Sequence, residues 1–155
     1  MIVMCVLVAG AACSKEPNRW EAAEQKAERA AESAAEAPEK VKGSKLNAYF
    51  PASGPNGATR VFTAEKPGYV EAKLQDRDGA EVALVSISEA ASDALAKFEA
   101  ASDRVSGHPL VTVGKNQSSA LVNKRFQVKV SSKTLSAEQR KALLGTFDLA
   151  GLSAL

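Results

Sequence analysis

One histidine and two cysteines in 155 residues leave little room for metal or nucleophilic chemistry. A zinc site draws on several Cys and His ligands at once, and a Ser-His-Asp triad would have His108 as its sole base. His108 sits in a Gly-His-Pro stretch with no partner motif and reads as an exposed loop histidine. A hydrolase is therefore the third-ranked function. No glycine-rich phosphate loop and no EF-hand loop occurs. Asp76-Arg77-Asp78-Gly79 lacks the later acidic ligands of a calcium loop and reads as a turn. Aromatic residues make up 5% of the chain, too few to interleave with basic residues as a base-stacking platform, so nucleic acid is not an expected partner. Neither a metal nor a cofactor is expected. The apolar run over 2–9 spans about eight positions, far short of the ~20 that cross a bilayer.

That short run is nevertheless informative. IVMCVLVA is free of charge and proline, has the length of a signal h-region, and is followed by Gly10, Ala11, Ala12 and Cys13. An apolar segment closing on small residues and cysteine resembles the lipobox of bacterial lipoprotein precursors. Gly10 stands where that family usually carries leucine, and no Lys or Arg precedes Cys13. The resemblance implies that residues 1–12 are a signal peptide cut between Ala12 and Cys13, with lipid carried on the Cys13 thiol. It also implies an outer-membrane address facing the periplasm, since Ser14 rather than Asp comes after the cysteine. Two other readings of the residues stay open. An ordinary signal cut after Ala9-Gly10-Ala11 would give a secreted or periplasmic protein, and an uncut segment would form a buried N-terminal strand. Cys5 lies inside the segment to be removed, so the processed chain would hold no intramolecular disulfide.

Residues 13–45 form the second part of the chain. From Trp20 to Ala37 the sequence is nearly all Ala and Glu, both strong helix formers, with Asn18 as a candidate N-cap and no break before Pro38. A helix of about eighteen residues would be a stalk roughly 27 Å long. Trp20, Ala23, Ala27, Ala30, Ala34 and Ala37 follow heptad spacing, so weak self-association through residues 20–37 is a candidate. Against it, Glu24, Glu28, Glu32 and Glu36 repel mildly at i,i+4. Ala37–Lys45 (APEKVKGSK) reads as a polar hinge.

Residues 46–155 suffice for one small core. Tyr69–Gln75 alternates, with Val70, Ala72 and Leu74 facing inward, and Asp78-Gly79 supports a hairpin turn. Further strands are predicted over Arg60–Ala64, Glu81–Ser88, Leu110–Val113, Ser118–Val122 and Arg125–Ser131. A helix is predicted over Ser92–Ser102 with Ser92 as N-cap and Leu95 and Phe98 inward. A second helix starts at the capping-box pair Ser136 and Gln139, with Leu143, Leu144 and Phe147 as its apolar stripe. Gly151 is expected to end the segment after this helix, with Leu149, Leu152 and Leu155 folding back on the sheet. The order β-β-β-α-β-β-β-α predicts an α+β fold: a mostly antiparallel sheet with two helices on one face, preceded by the Ala/Glu-rich helical stalk.

Charge is uneven. Arg104, Lys115, Lys124, Arg125, Lys129, Lys133, Arg140 and Lys141 stand against the single acid Glu138 over 104–141, whereas 65–103 holds nine acids and four bases. Such separation can create a positive face toward an anionic membrane or envelope polymer. Lys124, Arg125, Lys129 and Lys133 are the candidate anion-binding residues; the competing reading is an ordinary solvated strand face. The leading expectation is a non-catalytic, membrane-anchored envelope lipoprotein with an envelope protein as partner. The alternative is a binding module for an anionic glycan, lipid headgroup or phosphate.

Overall fold

Alternating side chains set the sheet. The computed structural model describes residues 39–155, and in it β1 (Thr59–Lys66), β2 (Tyr69–Gln75) and β3 (Glu81–Glu89) form a meander. Along β2, Val70, Ala72 and Leu74 are wholly buried while the residues between them stay half-exposed. Gly68, at φ +72°, turns β1 into β2. Asp76 closes the next turn, its Oδ1 accepting from the backbone N–H of Asp78 at 3.0 Å and of Ala80 at 2.9 Å. A second meander comprises β4 (Asp103–Val105), β5 (His108–Val113), β6 (Gln117–Val122) and β7 (Phe126–Ser131). Its last strand, not its first, pairs with β3, so the sheet runs β1-β2-β3-β7-β6-β5-β4. Every pairing is antiparallel.

The helices are short: α1 (Gly43–Leu46), α2 (Ser92–Glu99), α3 (Ala137–Leu144) and α4 (Leu149–Ser153). α1, α3, α4 and the loops between them bring Leu46, Phe50, Leu143, Leu144, Phe147, Leu149 and Leu152 onto one face, against Val70, Val85, Ile87, Val122, Val128 and Val130. The fold is α+β, as the element order implied. The two predicted helices do not share a face, however. Leu110 and Ala120 are cross-strand partners on the core face, so Pro109 and Leu121 point the other way. α2 lays Phe98 against that pair. The reason is chain economy: α2 leaves β3 at one end of the sheet and must reach β4 at the far edge.

Local differences have equally local causes. α3 starts as predicted, with both halves of the Ser136–Gln139 capping box formed. At α2 the cap position is Ala91, and Ser92 is already helical. That helix stops at Glu99, short of Ser102, because Asp103–Val105 is drawn into a hairpin with β5 through Ser106 (φ 49°) and Gly107 (φ 84°). Two consecutive positive-φ residues are what a tight hairpin demands. His108 and Pro109 consequently lie on a strand rather than in a loop. Gly151 sits inside α4 instead of ending it; its N–H donates to the Asp148 cap at 2.8 Å, and a Cβ there would meet the Tyr49 ring at 3.0 Å. Leu149 and Leu152 are buried, whereas Leu155 is 38% exposed.

The stretch read as a hinge ends in structure. Gly68 donates its N–H to the Val41 carbonyl at 2.7 Å, Val41 donates to Glu89 Oε1 at 2.9 Å, and Gly43 begins α1. Lys40–Leu155 forms one compact unit. Among the described residues no helix is long and apolar enough to cross a membrane. The Ala/Glu-rich stalk over 20–37, the cut after Ala12 and the lipidation residue Cys13 lie outside the described residues.

Candidate functional site

Among the described residues the sheet face opposite the main core is only partly covered, by α2 at one corner, and it carries the polar side chains of the alternating strands. One rung crosses it as Glu71, Ser86, Lys129, Ser119 and Val111. Ser86 and Ser119 are 2% and 0% exposed. Lys129 stands between the two serines in the register and is half-buried.

Glu71 is occupied within the chain. Tyr69 donates its hydroxyl to Glu71 Oε2 at 2.6 Å, and Thr63 donates to Oε1 at 3.0 Å. Burial pushes the Tyr69 hydroxyl up to about 12, reinforced by the hydrogen bond to Glu71 and by that carboxylate's charge. Gln127 donates from Nε2 to Ser119 Oγ at 3.2 Å. One rung further, Lys73 pairs with Glu81 at 3.1 Å. The acids of this face are thus held by neighbouring hydroxyls or a lysine.

At the end of the same face lies a cleft of about 380 Å³ where β7 leaves the sheet. Val82 and Leu84 give it an apolar floor, and Asn116, Ser131, Lys133 and Thr134 a polar wall. Ser132 builds this corner. Its Oγ donates to the Val82 carbonyl at 2.6 Å and accepts from the N–H of Leu135 at 3.0 Å. Lys133 is presented at the rim of an ordered turn.

The four candidate anion-binding residues do not converge. Lys124 is in the β6–β7 turn at φ 53° and lines a groove of about 220 Å³ with Leu95, Phe98 and Leu121. Arg125 donates from Nη2 to Glu89 Oε1 at 3.2 Å and from Nη1 to the Leu155 carbonyl at 3.2 Å. It already holds an anion of its own chain. Lys133 is at the other end of β7, a six-residue strand and so roughly 20 Å long. Only Lys129 and Lys133 belong to the open face and its cleft. His108 pairs with Val105 across the β4–β5 turn. Among the described residues no group of three His, Cys, Asp or Glu side chains is placed to share a cation.

Sequence reasoning placed Arg140 with the surface cations, yet it is 1% exposed. Its Nε donates to Ser118 Oγ at 3.1 Å and its Nη1 to the Leu135 carbonyl at 2.7 Å. The signal was present: Arg140, Leu143, Leu144 and Phe147 follow the i, i+3, i+4, i+7 spacing of one helical stripe. Comparison of the chain with known protein families, with curated proteins and with solved structures finds no match.

Proposed function

We propose that this chain is a lipid-anchored envelope protein whose domain binds a partner and carries out no reaction. The observation that carries the reading is Cys13, directly behind an apolar run and Gly10, Ala11 and Ala12. The domain's chemistry supports it, because Glu71, Glu81 and Glu89 are each engaged by a neighbouring side chain. The mechanism is tethering. Lipid on Cys13 holds the chain at a membrane, the outer membrane facing the periplasm by the Ser14 rule. The residues after Cys13 hold the domain's open face clear of the bilayer for an envelope protein. Two or more acyl chains make release negligible, whereas one gives reversible binding. Fractionation of cells tests this. The parent chain is expected in the membrane fraction, resistant to high salt and released by detergent, and Cys13→Ser in the soluble fraction. A parent chain that is soluble from the start would instead favour the secreted or periplasmic reading.

A second reading is favoured by the cleft beside Lys133. An anionic glycan, lipid headgroup or phosphate would meet the Lys133 ammonium, the Asn116 amide and the hydroxyls of Ser131 and Thr134, with Lys129 two residues before Ser131 on the same face. Vesicles containing phosphatidylglycerol, and isolated peptidoglycan, are the probes. Retention that falls with salt and is lost in Lys133→Glu supports this reading, and salt-independent or absent retention removes it.

A further inference from the structure

Among the described residues β1 is the long edge of the sheet, eight residues paired on one side only. It carries Val61 at 45% exposure and Phe62 at 39%, two of the four large hydrophobic side chains exposed among the described residues. An exposed strand edge is a template for another strand. The geometry points to a second copy of this chain as its occupant, through antiparallel β1–β1 pairing about a two-fold axis between Phe62 and Thr63.

Register singles out this pairing. Centred there, it sets Arg60 opposite Glu65 of the second copy and Val61 opposite Ala64 of the second copy, and the two-fold axis repeats both pairs. Residues five apart on a regular strand point to opposite faces, which would part Arg60 from Glu65. A bulge between Phe62 and Ala64 removes that obstacle. Arg60 lies opposite Leu74 and Glu65 opposite Val70, so both project on the core face of β2. Opposite charges facing each other across strands are mutually stabilising. Each residue keeps atoms for the contact. Arg60 commits Nη1 to the carbonyls of Phe50 and Pro51, and Glu65 commits Oε2 to Asn47 Nδ2 at 2.8 Å. Nε and Nη2 of Arg60 and Oε1 of Glu65 make no hydrogen bond among the described residues.

Disulfide trapping in the full chain reads the register directly. Directly opposed residues of an antiparallel pair lie ~5 Å apart at Cα, within disulfide reach. Residues 61 and 64 of one chain are roughly 10 Å apart along the strand and cannot bridge. Val61→Cys/Ala64→Cys is therefore expected to oxidise to a covalent dimer, with little cross-linking in either single variant or in the parent chain treated alike. Sedimentation of the parent at up to roughly 1 mM, the weak end of specific association, is expected to show a dimer that Val61→Lys abolishes. Three results would overturn the proposal. The double variant could cross-link no more than the single ones. Val61→Lys could leave the dimer intact, placing association elsewhere, as through residues 20–37. The parent could stay monomeric throughout, in which case the bulge and the charges block this edge.

Discussion

Arg140 on α3 reaches Ser118 on β6, Nε to Oγ at 3.1 Å, with the whole residue 1% exposed and no carboxylate among its partners in the described residues. A buried cation is costly to desolvate, and among the described residues it is compensated by hydrogen bonds to a hydroxyl and to the Leu135 carbonyl. Two substitutions should therefore part company. Arg140→Ala leaves both acceptors unpaired and opens a cavity, lowering stability by about 3 kcal/mol. Arg140→Met leaves the same acceptors unpaired but fills the volume, and with the desolvation cost of the cation relieved in both variants its loss should stay under about 1.5 kcal/mol. Urea unfolding of the two variants measures the difference; equal losses would mean that the unpaired acceptors, which both variants share, outweigh the cavity.

Ser136 is the clearest local start signal in the chain. Gln139 donates its N–H to Ser136 Oγ at 3.2 Å, and Ser136 donates its own N–H to Gln139 Oε1 at 2.8 Å. Ser136→Ala should lower stability by about 1 kcal/mol, and Ser136→Asp should recover most of it. Denaturant midpoints decide this, and an unchanged midpoint for Ser136→Ala would show that packing of Leu143 and Leu144 alone holds α3.

Alkaline pH should find Tyr69. Its hydroxyl is pushed up from 10.0 to about 12, first by burial, then by the Glu71 hydrogen bond and charge. The folded state thus favours the neutral phenol. The resulting stabilisation is complete below pH 10.0 and is lost as pH rises through about 12. Following tyrosinate absorbance should reveal a late-titrating group that Tyr69→Phe removes. A parent chain without it would break the link between this hydroxyl and Glu71.

The Asp103–Lys141 pair ties β4 to α3 and works in the other window. The Lys141 hydrogen bond, helped by the Arg104 N–H, holds the Asp103 carboxyl below its ordinary 3.8, while the same contact raises Lys141 above 10.5. Asp103 therefore stabilises the fold above its ordinary range and loses that contribution as pH falls through its lowered value. Lys141 contributes below 10.5 and loses its share as pH rises through its raised value. Both groups are exposed, so the effect should be small and salt-sensitive. Asp103→Asn should unfold earlier than the parent at neutral pH and match it in strong acid. A gap that persists in acid would point to packing rather than charge.

Much of the fold was legible because strand alternation is a local property. Tyr69–Gln75 is the clearest case, since each apolar position was inward and the Asp78-Gly79 turn closed the hairpin. What escaped was set by tertiary geometry. A three-residue strand such as Asp103–Val105 has too few positions to alternate, and only its pairing with β5 defines it. The face chosen by α2 depends on where β3 ends and β4 must begin. The four basic residues of the proposed anion face were grouped by sequence proximity. Strand direction then sent Lys133 to the far end of β7, and Glu89 claimed Arg125. Arg140 reads as a surface cation by its charge, whereas its position on the apolar stripe of α3 is what buries it.

Cys13 as the carrier of the anchor is the central claim, and metabolic labelling with a palmitate analogue tests it most directly. The parent chain should incorporate the label, and Cys13→Ser should not. Label retained by Cys13→Ser, or absent from the parent, would contradict it.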